Sequence, residues 1–509
     1  MKSFNYIYRV LLIMTASFNS FVFSQDMLDQ NQISYRPPKV AGTFYPADSD
    51  SLKNLMVEYL ELNQPKKVNS KIYGLISPHA GYIFSGSVAG KAYREVSSEK
   101  YDVVVVISPS HYKSFKGSSV FNGEAYVTPL GVTKVDTEFA KMLSSINENV
   151  FLSNLGHSWS ESSSEHSLEV QIPFIQTVQP EAKIIPIVMG SQDFQTIHSL
   201  STALIKSIKS FSKKVLLVAS SDLSHFYDYN TARKLDISLI KILTSYDYFR
   251  FSSQFYLRKI EACGGGPIAT VMIVCEKLGA NKLVPIKYAN SGDTPAGKSR
   301  MDRVVGYFAA AIVEDEEYDG IFLPSFTDEE KEILLNTAIE SIKRTVINSN
   351  SKTDEHEKIF VPRNLGEFLS CFVTIRKSGK LRACMGHTYP NSSLIVEVEE
   401  VAKLAATQDY RFGPIYKSEL DSLEIEITVL SRFYKVFDLS EIIIGRDGLF
   451  IRYENSTGIL LPQVATENKW DIETFLKNLC RKAGLPENYY TKPDVELYRF
   501  SSIIIQQEE

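Results

Sequence analysis

Three segments of the chain end an apolar run with serine and then deliver histidine. They are Ile76-Ser77-Pro78-His79, Ile107-Ser108-Pro109-Ser110-His111 and Ala219-Ser220-Ser221-Asp222-Leu223-Ser224-His225. Imidazole is both a common metal ligand and a proton carrier near neutral pH. Asp222 adds a carboxylate to the third segment. Cys263 adds a thiol in Cys263-Gly264-Gly265-Gly266-Pro267, just before a helical pattern. Proline suits the first helical position, so a helix is expected to begin at Pro267. A thiol at a helix N-terminus is expected to ionise more readily. Cys263 is therefore a candidate metal ligand or nucleophile, or else a small buried residue. The triple glycine lets the backbone approach a neighbour closely. It does not make a phosphate loop, which needs a preceding strand and a Lys-Ser/Thr ending. His157 and His166 flank a serine-rich loop, and each either lines the same site or caps and packs.

Such residues need elements to converge them. Ile72 to Ser77, Val103 to Ser108, Val215 to Ala219 and Leu283 to Tyr288 are apolar and rich in β-branched residues. Continuous runs of this kind suit strands buried on both faces, hence an α/β sheet sandwiched by helices. Helical patterns are expected at Ser85 to Val96, Leu168 to Gln176, Thr231 to Leu243 and Pro267 to Leu278. In open α/β sheets the ligand crevice lies beyond the carboxyl ends of strands. His79, His111, Asp222 and His225 all fall there.

The chain has 509 residues, 44% hydrophobic and 23% charged, with a net charge of −5. Those values exclude wholesale disorder and a polytopic membrane protein, and no basic tract marks a nucleic-acid groove. Five cysteines are too few for a disulfide scaffold and odd in number. Residues 1–24 read as a secretory signal: Lys2 and Arg9, an apolar stretch, and a cleavage site before Gln25. The chain is thus expected to be exported, with no stable membrane span after cleavage. Residues 25–35 form a polar lead-in, 36–313 a first domain, 314–326 an acidic linker and 327–509 a second domain.

The second domain opens on a helical pattern, Asp328 to Val346, with Thr327 and Glu330 spaced as a capping box. Cys371 to Arg376 and Lys380 to Cys384 flank Lys377-Ser378-Gly379 as a hairpin. Leu423 to Leu430 alternates as a half-exposed strand, and Trp470 to Ala483 is an amphipathic helix. The domain is expected to be α+β with a mixed or antiparallel sheet. Cys384 ends a hairpin strand with Arg382 on the same face, which would favour a thiolate, and His387 could serve as a base. The pair is a candidate covalent catalyst, or both residues are structural. Arg411 and Asp409 either bind an anionic ligand or pair with each other. Cys275, Cys371 and Cys480 sit on apolar faces and are expected in cores.

Five blocks of the first domain resemble the Memo family in order and spacing. They are Ser77-Pro78-His79-Ala80-Gly81-Tyr82, Pro109-Ser110-His111, Glu165-His166-Ser167-Leu168-Glu169, Ser221-Asp222-Leu223-Ser224-His225 and Cys263-Gly264. The resemblance implies a fold like that of class III extradiol dioxygenases, which bind non-haem iron. It implies His79, His111 and Cys263 as metal ligands and His225 as acid/base, with Asp222 beside it. Cys263 stands where the dioxygenases have a carboxylate, so copper or zinc is also acceptable to the site. Memo-like proteins are also described as peptide-binding adaptors.

Leu381-Arg382-Ala383-Cys384-Met385-Gly386, Asp409-Tyr410-Arg411-Phe412-Gly413-Pro414, Leu423 to Ser431 and Gly458 to Ala465 resemble an AMMECR-type domain. Ala383 and Met385 replace a glycine and an isoleucine of its hexapeptide. The two families occur in many prokaryotes with a radical S-adenosylmethionine protein, as the AmmeMemoRadiSam set. The resemblance thus implies a metal-dependent oxidoreductase within such a modification system, acting on a small-molecule or peptide substrate. The chain itself has no Cys-x3-Cys-x2-Cys cluster motif.

Overall fold

All seven residues of Val103–Pro109 are buried, and only a strand covered on both faces accommodates that. The computed structural model describes residues 34–157, 159–160, 163–315, 325–347, 362–390 and 392–507. The expected signal segment 1–24, nearly all of the expected lead-in, residues 316–324 of the expected linker and the polar segment 348–357 lie outside the described residues. Contacts divide the chain into two units. The first comprises Met1–Asp236, Ala262–Leu278 and Val284–Val313, and the second Ile237–Glu261, Gly279–Leu283 and Glu314–Glu509.

The first unit is α/β. Its main sheet holds β1 (Ile72–Ser77), β2 (Val103–Pro109), β3 (Ser118–Phe121), β4 (Val150–Ser153), β5 (Lys183–Met189), β6 (Val215–Ser220), β7 (His225–Tyr227), β8 (Lys282–Asn290) and β9 (Val304–Val313). The order is β7-β9-β1-β6-β2-β5-β3-β4, with β8 on β9. β1, β6, β2 and β5 are parallel. β9 runs antiparallel to β1, and β3 antiparallel to β5. Ser220 pairs with Ser77 and Met189 with Pro109, so the carboxyl ends of the parallel strands are level.

Helices cover both faces. Leu75, Val104, Val106, Leu216 and Val218 share one core with α1 (Ser49–Leu60), α2 (Tyr82–Glu95) and α3 (Ile172–Val178). Each fully buried aliphatic side chain there contributes about 1.5–3 kcal/mol. On the other face α4 (Phe194–Ser210) packs on α5 (Gly265–Lys277), which crosses β1 closely. A Cβ at Gly74 would meet Cys275 Sγ at 2.8 Å and Val271 at 2.9 Å. Several expected boundaries move, among them α2, which starts at Tyr82 rather than Ser85. α5 begins at Gly265, so Pro267 is its third residue, and the pattern at Leu168 opens with a 3₁₀ turn (Glu169–Gln171) before α3.

The second unit is α+β. One antiparallel sheet takes β10 (Cys371–Lys377), β11 (Lys380–Gly386), β12 (Leu423–Leu430) and β17 (Ser502–Gln506), in the order β11-β10-β12-β17. A second takes β13 (Tyr434–Lys435), β14 (Gly448–Tyr453), β15 (Ser456–Leu460) and β16 (Glu496–Phe500), in the order β13-β16-β14-β15. The β10–β11 turn has Ser378 at φ 52° and Gly379 at φ 70°, the left-handed pair that a two-residue hairpin requires. α6 (Asp328–Ile347) and α7 (Leu394–Thr407) cover the first sheet, and α8 (Ile472–Lys482) the second. The capping box of α6 forms: Glu330 N–H donates to Thr327 Oγ1 at 3.2 Å, and Thr327 N–H to Glu330 Oε2 at 3.0 Å. Cys275, Cys371 and Cys480 are core residues. Among the described residues, no helix is long and apolar enough to cross a membrane.

Candidate functional site

Level strand ends set the site. His79 lies two residues beyond β1, His111 two beyond β2 and Asp222 two beyond β6. The His79 and His111 rings meet edge to face with centroids 5.1 Å apart. His166 joins them, stacked on His111 at 4.7 Å and perpendicular to His79 at 5.5 Å. One ring nitrogen from each of the three lies within 4.8 Å of the others. Three convergent imidazoles are a donor set suited to zinc, copper or iron.

For two of the rings the hydrogen bonds show which nitrogen carries a proton. Ser220 Oγ donates to the Ser167 carbonyl at 2.6 Å, which uses its single proton. Gln171 Nε2 donates to Ser220 Oγ and to the Pro78 carbonyl, both at 2.9 Å. His79 Nδ1, 2.9 Å from Ser220 Oγ, must then be the donor, and Nε2 keeps its lone pair. His111 Nδ1 lies 2.9 Å from Glu165 Oε1. Glu165 also accepts from the amides of His111, His166 and Ser167 and from the Ser167 hydroxyl. Glu165 is buried, which opposes ionisation, but its bonds to His111 outweigh this and pull its pKa down to about 2. A carboxylate only accepts, so His111 Nδ1 carries a proton and Nε2 is the nitrogen left for a ligand. A carboxylate behind an imidazole is the usual support of a metal-binding histidine. Burial, then the neighbouring histidines, holds His79 well below the ordinary range, and burial lowers His166 to about 4. His166 Nδ1 is buried without a hydrogen-bond partner.

Cys263 enters from the other side of His79, its Sγ 3.0 Å from His79 Nε2. The Asp222 amide donates to Sγ at 3.1 Å, and Gln192 Nε2 donates to the Cys263 carbonyl at 2.8 Å. The lowered thiol pKa expected at a helix start does not occur. Burial, then the Asp222 charge, pushes it well above the ordinary value. Gly264 is required where it stands, because a Cβ there would meet the Ser220 carbonyl at 2.3 Å. The Asp222 carboxylate accepts from the His79 amide at 2.8 Å, and burial raises it to about 7. His225 begins β7 and is half-buried, close enough for its charge to act on His79.

Of the two histidines left open by sequence, His166 is in the cluster and His157 is not. His157 Nδ1 accepts from Tyr126 Oη at 2.6 Å, and Nε2 faces the Ser119 carbonyl at 3.1 Å. Sequence reasoning also missed Arg36. Its guanidinium is buried and reaches Glu169 Oε2 at 2.5 Å and the carbonyls of Glu165 and His157 at 2.6 and 3.1 Å. It thereby pins the loop that carries Glu165 and His166.

The second unit does not assemble a cysteine–histidine pair. Cys384 Sγ accepts from Thr374 Oγ1 at 3.3 Å, whereas His387 Nδ1 bonds Glu397. Arg382 is engaged by both carboxylate oxygens of Glu419, at 3.1 and 3.0 Å, and not by the thiol. Arg411 pairs with Asp409 at 2.7 Å, and the Cys384 amide donates to the same Asp409 oxygen at 2.9 Å. Ala383 pairs with Ile375 beside a register shift in the ladder, yet lies outside the left-handed region, so the missing glycine costs nothing in backbone strain.

The fold and site define an α/β protein with a histidine cluster at the carboxyl edge of its sheet, extended by an α+β domain. Residues 36–311 match the family model described as Memo-like protein, and residues 335–505 match AMMECR1. The chain belongs to the Memo-like family and carries an AMMECR1 domain fused behind it. A MEMO1 family protein of Nitrosopumilus maritimus is 34% identical over 284 residues, which cover 55% of this chain and 99% of that protein. One from Methanosarcina mazei is 37% identical over 284 residues, with the same coverage of 55% and 99%. The crystal structure of the uncharacterized protein PH0010 from Pyrococcus horikoshii is 31% identical, covers 35% of this chain and 92% of that one, and has a TM-score of 0.33.

Proposed function

We propose that the first unit is a metal-dependent oxidoreductase, with non-haem iron as the first candidate and copper or zinc as alternatives. The observation that carries this reading is the convergence of three imidazoles, two of them with Nδ1 held by Ser220 and Glu165. His166 Nδ1 is buried with no hydrogen bond, 3.8 Å from Glu165 Oε1, which leaves it able to take a further ligand. His79 and His111 would hold the metal, with Cys263 as the third ligand that the resemblance implies, or His166 as the third that the ring geometry offers. Bound there, a redox-active metal would supply one-electron chemistry and a place for dioxygen or substrate.

The chain's own groups do the rest. Glu165 and the Gln171–Ser220 pair hold the ligands in their binding tautomers. Asp222, poised near neutrality, can give or take a proton beside Cys263. His225 is positioned to carry protons at the rim. Exposed apolar side chains adjoin the histidines: Tyr112 beside His111 and Phe226 beside His225. Such a rim suits a substrate with an apolar or aromatic surface. It equally suits a peptide side chain, and so supports the second reading, a peptide-binding scaffold that keeps the metal pocket. We further propose export, from residues 1–24, and action beside a radical S-adenosylmethionine protein, from the pairing of the two families. Cys263 is only half-buried, so a bound metal would have to protect its thiol in an oxidising compartment.

Oxygen uptake by the iron-loaded protein, scanned across small phenolic and peptide substrates, tests the oxidoreductase reading. Wild-type uptake that falls at least tenfold in His225→Ala at equal iron content is expected. Iron-loaded protein that takes up no oxygen with any of them, while still binding peptides, would leave the scaffold.

A further inference from the structure

Residues 237–261 lie within the span matched by the Memo-like model, yet they are part of the second unit. Their central helix, Tyr248–Tyr256, is capped by Asp247, which accepts from the Arg250 amide. Tyr248 and Phe249 are each 2% exposed. Phe249 stacks on Phe433 with centroids 4.5 Å apart and on Tyr389 at 5.1 Å, and meets Phe450 and Tyr498 at steep angles at 5.3 and 4.7 Å. All four belong to the span matched by AMMECR1. The Lys435 amide donates to Tyr248 Oη at 2.8 Å, and the Arg250 guanidinium lies 4.1 Å over the Phe368 ring.

Both ends of this arm carry left-handed backbone at non-glycine residues, Tyr246 at φ 56° and Arg258 at φ 55°. Such conformations persist where the surroundings over-determine them. A buried aromatic anchor in a pocket of aromatics, flanked by an arginine on another ring, has the make-up of a binding hot spot.

We propose that the AMMECR1 domain presents an aromatic recognition site whose ligand is the Asp247-Tyr248-Phe249-Arg250 segment. The segments on either side of residues 316–324 are then held by a noncovalent clasp as well as by the chain. This clasp is independent of the metal reading. It implies that the intact protein, cut once between 316 and 324, remains a single particle.

The test is a full-length chain with a protease site placed in residues 316–324, cleaved under native conditions and run on gel filtration at micromolar concentration. Wild-type pieces are expected to co-elute, and Phe249→Ala pieces to separate. Phe249→Leu keeps most of the volume and guards against a folding defect. It and Arg250→Ala are each expected to weaken association at least tenfold, read by titrating the separated pieces. Separation of the wild-type pieces would overturn the proposal. So would wild-type association in all three variants.

Discussion

Arg36→Met tests how the site loop is held. Arg36 is 1% exposed and Glu169 is fully buried. Glu169 also accepts from the Lys39 and Val40 amides, both at 2.9 Å, and from Tyr45 Oη at 2.6 Å. Methionine fills most of the arginine volume but leaves the carboxylate without its counter-charge. Removing one partner of a buried ion pair costs about 3–5 kcal/mol. Three remaining donors place this case near the lower figure, about 3 kcal/mol. For a unit of this size that is roughly 6–12 °C in melting temperature. Calorimetry at pH 7 reads it directly. Arg36→Met/Glu169→Gln should cost less than the sum of the single changes, because the lone buried charge is gone. A single-variant melting temperature within about 2 °C of wild type, a shift of under 1 kcal/mol, would refute the reasoning.

Glu165→Gln should weaken metal binding roughly 10–100-fold, as losses behind a ligating histidine do, and competition with a chelator of known affinity measures it. His157 is neutral in the folded protein because burial lowers it from 6.5 to about 3. Its contribution to stability is therefore complete above pH 6.5 and is lost as pH falls towards 3. Melting temperatures between pH 7 and 4 should fall less steeply in His157→Asn than in wild type, and equal slopes would contradict the assignment. Thr327→Ala removes one half of the α6 capping box and should cost about 1 kcal/mol in urea unfolding; no change would show that the cap carries no weight.

The parallel strands were legible because Val103–Pro109 and Val215–Ser220 are unbroken apolar runs, which little else in a folded protein explains. β5 was not, because Pro186 interrupts it and proline normally demotes a strand. β9 was not, because Ala309-Ala310-Ala311 suits a helix as well as a strand. His79 and His111 were legible from their common position after a strand. His166 and His157 could not be told apart locally. Tyr126, which bonds His157, and His111, which stacks on His166, are distant in sequence. Arg36 and Glu169 are 133 residues apart, and no local pattern joins them. In the second unit the β10–β11 hairpin announced itself through Gly379. The sheet β13-β16-β14-β15 did not, since its first pairing joins Tyr434 to Arg499. The hydrogen-bond partner of His387 was hidden for a related reason: Glu397 lies on α7, outside the hairpin.

Metal content tests the central claim most directly. The tag-free protein, purified under nitrogen without chelator, would be analysed for iron, copper and zinc beside His111→Ala and His79→Ala. About one metal ion per chain in the wild type, lost at least severalfold in both variants, is the predicted result. Equal metal in all three proteins, or none in the wild type after reconstitution with each metal, would contradict a metal site built on these histidines.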